Sequence, residues 1–256
     1  MASLKATERH QIIMDRLSET GRAEISELAD ALGVSNVTVR TDLLHLERNQ
    51  VLRRIRGGAI SVRTSRYERA SDIGIPFSDE KNAIAARAAQ MVRDGETIIM
   101  DAGSTVVALA AHFPSDLRDV AVVTNSLAVT TEIANHPGAT VIVTGGTLRP
   151  RFNSFISPFG ELILNEVNAD IAFISCSGVD AEKGFTNSNC QEAEIKKLMI
   201  RSASRVVFLA DHSKLKHIAT AKIAALGEAN LLITDNKAST ETLKELRAAG
   251  LAVEVA

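Results

Sequence analysis

Residues 34–47, VSNVTVRTDLLHLE, followed closely by residues 52–59, LRRIRGGA, decide how the first quarter of the chain is read. Ser35 stands where a helix N-cap belongs and opens a helix to about Asn49. At about 100° per residue, Val39, Leu43 and Leu46 fall on one stripe and are expected to be buried. Val37, Thr41, Leu44 and Arg48 lie opposite, with Thr38 and Arg40 on the flanks. Upstream, residues 24–32 place Ile25, Leu28, Ala29 and Leu32 at helical spacing, and Gly33 follows as a left-handed C′ residue. Residues 7–20 make an earlier helix with Ile12, Ile13 and Leu17 on one face and Gly21 as its stop. Helix, glycine turn, helix is the helix-turn-helix arrangement. Residues 51–55 and 59–62 alternate around Gly57-Gly58 and predict a hairpin, the wing of a winged helix-turn-helix.

The outward face of the third helix is short, polar and partly basic near its N-terminal end, which suits a helix entering a DNA major groove. The candidate DNA-contacting residues are Ser35, Thr38, Arg40, Thr41 and Arg48 on this helix, and Arg53, Arg54 and Arg56 on the wing. Wing cations meet phosphates and position more than they specify. Charge agrees: residues 1–66 hold 11 Lys and Arg against 8 Asp and Glu, and the remainder 18 against 23. A basic head on an acidic body points weakly to nucleic acid.

The 256 residues, 45% of them hydrophobic, suffice for two cores. Two cysteines, Cys176 and Cys190, are too few for a disulfide framework and have no metal-ligand spacing. The six histidines show no paired ligand spacing, and no metal or cofactor is expected. The N-terminus has no signal-peptide pattern and no run of apolar residues is long enough to span a membrane, so the expected location is the cytoplasm.

Residues 63–78 have no clear period and read as a linker between a head at 1–62 and a body at 79–256. The body alternates helical segments with six short branched-apolar runs, ETIIMD, VAVVTN, ATVIVTGG, ADIAFISC, RVVFLAD and NLLITD. Runs of this kind are buried on both faces and predict an α/β domain with an open, largely parallel, Rossmann-like sheet. Ligands of such sheets bind beyond the carboxyl ends of the strands, so the loops there should converge on a site. Asp101-Ala102-Gly103-Ser104-Thr105 opens a helix whose free N–H groups and dipole suit a phosphate. Lys214 and Arg149 are candidate cations, Arg149 the weaker and more readily read as solvated surface charge. Thr124 and Asn125 suit sugar hydroxyls, Gly145 and Gly146 permit close backbone approach, and Asp180, Glu192 or Glu194 suit a polyol. Glu194 has an alternative partner in Lys197 or Arg201 on its own helix. The candidate effector residues are therefore Asp101, Gly103, Ser104, Thr105, Thr124, Asn125, Gly145, Gly146, Asp180 and Lys214.

The run Glu8-Arg9-His10-Gln11-Ile12-Ile13, LGVSNVTVRTDLLHLE and LRRIRGGA together resemble the DNA-binding head of the DeoR family of bacterial transcriptional regulators. One departure stands out: the family usually has two arginines in succession in the reading helix, where this chain has Arg40 and then Thr41. Residues 80–236 resemble the family's sugar-phosphate sensor domain. The resemblance implies a homo-oligomeric, operator-binding regulator, a repressor of carbohydrate genes, whose body binds a phosphorylated sugar. That sensor is similar in turn to ribose-5-phosphate isomerases, through the GST loop and the lysine of DHSK. The isomerase reading is the rival class. Where those enzymes carry a DGADE-like run this chain has SGVDAE, with Ser177 replacing the first carboxylate, so no catalytic residue is assigned. A nucleotide-binding module fits less well, because no GxGxxG follows the first strand of the body.

Overall fold

The computed structural model describes residues 6–20, 22–48, 52–55, 57–61, 79–156 and 158–256. The expected linker, Gly21 and Arg56 lie outside the described residues. The chain divides into two units, Met1–Arg66 and Tyr67–Ala256.

The first unit holds helices α1 (Ala6–Thr20), α2 (Ile25–Leu32) and α3 (Asn36–Arg48) and strands β1 (Arg22–Glu24), β2 (Leu52–Ile55) and β3 (Gly58–Ser61). The three strands form an antiparallel sheet in the order β1-β3-β2, so the hairpin carries a third strand that the sequence reading lacked. Gly33 takes φ +65° after α2, the left-handed turn a glycine stop supplies. Ile13, Leu17, Leu28, Leu32, Val39, Leu43, Leu46 and Leu52 fill the core of this unit.

The second unit opens with α4 (Asp79–Ala89), β4 (Thr97–Met100), α5 (Ser104–Ala111), β5 (Val120–Thr124), α6 (Leu127–Ile133) and β6 (Ala139–Val143). A small hairpin follows, β7 (Thr147–Arg149) and β8 (Ser154–Ile156), then α7 (Gly160–Leu164), β9 (Ile171–Ser175), β10 (Gly178–Asp180) and β11 (Gly184–Asn187). The chain ends with α8 (Cys190–Arg201), β12 (Val206–Leu209), β13 (Ala221–Ala224), β14 (Leu231–Thr234), α9 (Thr240–Ala248) and β15 (Val253–Val255).

Seven of these strands make one sheet, β15-β14-β12-β9-β4-β5-β6, parallel throughout. It contains the six runs read from sequence and one more, β15. Alternate residues of each strand serve opposite cores. Ile98, Met100, Ile171 and Phe173 join α4, α5 and α6 on one face; Ile99, Ala172, Ile174 and Phe208 join α7, α8 and α9 on the other. Phe208 stacks on Phe185 of a second, antiparallel sheet, β10-β11-β13, which covers part of that face. Both faces are covered, so the strands read as unbroken apolar runs.

Strand order fixes where a ligand belongs. From β4 the chain builds outward through β5 to β6, then returns to β9 on the other side of β4 and builds away through β12, β14 and β15. The order reverses between β4 and β9, and a crevice opens at the carboxyl ends of strands at such a point.

Candidate functional site

On α3 the expected stripe is buried, with Val39 and Leu43 at 0% exposure. Ser35 caps the helix, its Oγ accepting from the Thr38 N–H at 3.2 Å. The opposite face presents Val37, 69% exposed, with Arg40 and Thr41 also exposed and Thr38 half-buried. An exposed valine among short polar residues suits apolar contact with thymine methyl groups. Thr41 donates its hydroxyl proton back to the Val37 carbonyl at 3.0 Å. Its outward role is therefore that of an acceptor, unlike the donor fork of an arginine.

Two ion pairs that the sequence reading missed hold this helix. Asp42, buried on α3, accepts from Arg9 at 2.8 and 3.0 Å and contacts His10 at 3.1 Å, both from α1. Burial alone raises the Asp42 carboxyl; hydrogen bonds from Arg9 and His10 outweigh that and hold it below the ordinary aspartate range. On the wing, Arg54 binds Glu47 at the end of α3 through its side chain at 2.6 Å and its backbone N–H at 2.8 Å. These bonds hold the Glu47 carboxyl below its usual range. Arg54 is thus an exposed cation with an internal partner. The side chains of Arg48 and Arg53 lie outside the described ones.

In the second unit, α5 begins immediately after β4 with Gly103 as N-cap and no side-chain cap. The first N–H groups of a helix have no acceptor within it, and a glycine cap supplies none. Gly103 is required by close approach: a Cβ there would lie 1.9 Å from Ser175 Oγ. Ser175 ends β9, so the loop is pressed against the switch point.

Below the loop lies a group of buried ions. Asp101, 0% exposed, accepts from the backbone N–H of Gly103 at 2.5 Å and of Ser175 at 2.6 Å, and pairs with the ammonium of Lys196. Lys196, 6% exposed on α8, also donates to the carbonyl and hydroxyl of Ser175 at 3.1 and 3.0 Å. Asp101 was expected to face a ligand. Its oxygens are instead taken up inside the protein, where they shape the Gly103 loop.

Other expected residues divide likewise. Thr124 donates to the Met100 carbonyl at 2.6 Å and accepts from the Ser126 N–H at 3.0 Å, tying β5 to β4 rather than facing outward. Asp180 accepts from the N–H groups of Glu182 and Lys183, holding the β10–β11 turn. A Cβ on Gly146 would meet the Ile156 carbonyl oxygen at 2.2 Å, so this glycine serves the β7–β8 hairpin, while Gly145 faces open space at φ +67°. Ser104 is half-buried and Thr105 5% exposed in the first turn of α5.

Lys214 follows β12, 3.9 Å from Asp211. Burial raises the Asp211 carboxyl, and the charge of Lys214, the Ser213 hydrogen bonds and the charge of Lys81 bring it below the ordinary range. Cys176, after β9, is pushed up to about 12 by burial, against the pull of the Lys196 and Lys214 charges. This thiol, in the loop after β9, thus feels the charges of Asp101 after β4, of Asp211 and Lys214 after β12, and of Lys196 on α8.

Arg149 is not a solvated surface charge. It pairs with Glu192 at 2.6 Å and lies 4.2 Å over the Phe152 ring. Glu192 also accepts from Ser154 at 3.0 Å and Asn187 at 3.2 Å. Glu194, by contrast, pairs with Lys197 at 2.7 Å along its own helix.

Two family models match the chain: the DeoR-like helix-turn-helix domain over residues 9–65 and the DeoR C terminal sensor domain over residues 77–236. The chain belongs to the DeoR family. Among DeoR-type relatives, the HTH-type transcriptional regulator GolR of Listeria innocua is 34% identical, spanning 97% of this chain and 98% of its own. The HTH-type transcriptional regulator GlpR of Haloferax volcanii is also 34% identical, over 96% of each chain. Among solved structures, ribose 5-phosphate isomerase from Plasmodium falciparum aligns over 53% of this chain and 52% of its own, at 19% identity and TM-score 0.38.

The DeoR-type body also contains what the sequence reading overlooked. Lys196 falls at i+3 from Ala193 and i−3 from Met199, both fully buried, so the stripe of α8 runs through a lysine. A charged residue on a core stripe demands a buried partner, and that periodicity was the available signal.

Proposed function

We propose that this chain is a DNA-binding transcriptional regulator, a repressor of carbohydrate uptake or catabolism genes, released from its operator by a phosphorylated sugar. Ser35, Thr38, Arg40, Thr41 and Arg48 meet the operator from α3 and its cap; Arg53, Arg54 and Arg56 hold its phosphates. Residues 1–62 are the head, 63–78 the linker and 79–256 the sensor. A single head covers one half-site, so the working form is a homo-oligomer. It works in the cytoplasm, where its DNA is.

The observation that carries the reading is the uncapped start of α5 at the sheet's switch point, in a chain whose other unit presents α3 outward. The phosphate sits on the N–H groups of Ser104 and Thr105, with their hydroxyls and Lys214 beside it, while the Gly103 N–H stays with Asp101. The relatives' names as transcriptional regulators support the same reading.

The chain acts by binding and not by turnover. An isomerase needs a carboxylate ready to take a proton, whereas Glu192 is held by Arg149, Ser154 and Asn187, and Asp180 by its turn. The effector favours one arrangement of heads over another and so binds the two unequally.

Fluorescence anisotropy of the full chain on DNA upstream of its own gene, with sugar phosphates and their unphosphorylated parents, tests this. Specific binding weakened by one phosphorylated sugar is expected. Salt-sensitive binding without sequence preference, or release by the unphosphorylated parent alone, contradicts it.

A further inference from the structure

Among the described residues two buried side-chain atoms have no hydrogen-bond partner: Asn125 Oδ1 and Thr234 Oγ1. Thr234 ends β14, three strands away from β4. Asn125 follows β5, which is registered beside β4 with Thr124 opposite Met100. Asn125 and Asp101 therefore leave adjacent strands side by side, about one strand spacing (~4.8 Å) apart. Asn125 is thus next to the loop that carries Gly103.

Its chemistry is fixed by its neighbours. The Asn125 Nδ2 donates to the Phe155 carbonyl at 3.1 Å, and the Phe155 N–H donates to the Asn125 carbonyl at 2.7 Å. With the amide nitrogen committed to a carbonyl, the atom left over is the amide oxygen, which only accepts. The side chain is 4% exposed, and buried polar atoms in folded proteins nearly always find a partner. A phosphate oxygen is no use to it, because an acceptor needs a donor. A hydroxyl carried by the same ligand is.

We infer that Asn125 is the hydroxyl-reading residue of the effector site, its Oδ1 accepting a hydrogen bond from a hydroxyl of the molecule whose phosphate lies at the start of α5. The inference rests on the proposed function and deepens it: a hydroxyl read by Asn125, and not the anion alone, determines which sugar phosphate is recognised. Strand β8 lies along Asn125 through the two Phe155 bonds, and Arg149 and Ser154 of the same hairpin are held by Glu192.

The test is calorimetric titration of the full chain, wild type and the variants Asn125→Ala and Asn125→Leu. The probes are inorganic phosphate, glycerol 3-phosphate, ribose 5-phosphate, fructose 6-phosphate and glucose 6-phosphate. In the wild type one ester binds at least about tenfold more tightly than inorganic phosphate, and in the variants that ratio falls by about tenfold. Monodeoxy analogues of the bound ester supply a measurement independent of the variants' folding. One of them loses about tenfold on the wild type, and that loss shrinks on Asn125→Ala. A ratio unchanged in both variants overturns the inference while leaving the phosphate site standing. Full wild-type affinity for every monodeoxy analogue overturns it as well. Failure of every ester and of phosphate to bind the wild type removes the proposed function itself.

Discussion

Replacing Lys196 with methionine removes the ammonium that faces Asp101 while keeping most of the side chain's volume. Both partners are nearly closed to solvent, at 6% and 0% exposure. Breaking a buried pair by deleting one member costs about 3–5 kcal/mol, because the other charge stays buried without compensation. Asp101 keeps its bonds from Gly103, the Ser175 N–H and the Ser175 hydroxyl, which places the loss near the lower end, about 3 kcal/mol. For a unit of this size each kcal/mol shifts the midpoint by about 2–4 °C, so the sensor unit of Lys196→Met should melt about 6–12 °C lower. Calorimetry on wild type, Lys196→Met, Asp101→Asn and the double variant reads both the loss and the coupling. The double variant should lose clearly less than the sum of the single ones. The wild-type stabilisation should also persist from 0.1 to about 1 M salt, since buried pairs are poorly screened. A loss under about 1 kcal/mol, or one that vanishes in high salt, is how an exposed pair behaves and would mean that solvent reaches Lys196 and Asp101.

Arg54→Ala should weaken binding to all DNA and flatten its salt dependence by about one unit of slope, read by anisotropy at several salt concentrations; an unchanged slope removes the wing from the interface. The folded Asp211 carboxyl lies below its ordinary value, so the stability it contributes is present above that value and is lost as pH falls through the lower one. Asp211→Asn should therefore be less stable than wild type near pH 6, with the difference shrinking below about pH 4 in denaturant titrations. Cys176, buried and raised to about 12, should resist a thiol reagent at pH 8 while exposed Cys190 reacts. One fast equivalent in the folded protein and two in denaturant are expected.

What the sequence made legible was whatever depends on local chemistry. Gly33 and Ser35 mark a helix boundary because a left-handed stop and a hydroxyl cap are single-residue devices, and both stand where expected. The apolar stripe of α3 and the six branched runs of the sheet follow from periodicity and from burial on both faces. The three-residue strands β1 and β15 escaped because so short a run has no period; partners distant in sequence define them. The short strands of the β10-β11-β13 sheet escaped for the same reason.

At the candidate site, sequence reading located the loop but not the direction of its side chains. Asp101, Thr124 and Asp180 carry the right groups for a ligand and spend them on backbone N–H and carbonyl groups nearby. Asn125 carries an ordinary amide whose single unmet atom appears only once β8 is laid beside it. Arg149 looked solvated because its partner Glu192 is 43 residues away.

In the proposed function, an anion at the start of α5 governs the hold of the head on DNA. This is tested most directly by comparing wild type and Thr105→Val for release of a fluorescent operator as the effective sugar phosphate is added at fixed salt. Both proteins should bind the operator with the same affinity when the ester is absent. The wild type should let go while Thr105→Val stays bound at the same ester concentrations. Release of both at the same concentration would contradict it and place the controlling anion elsewhere.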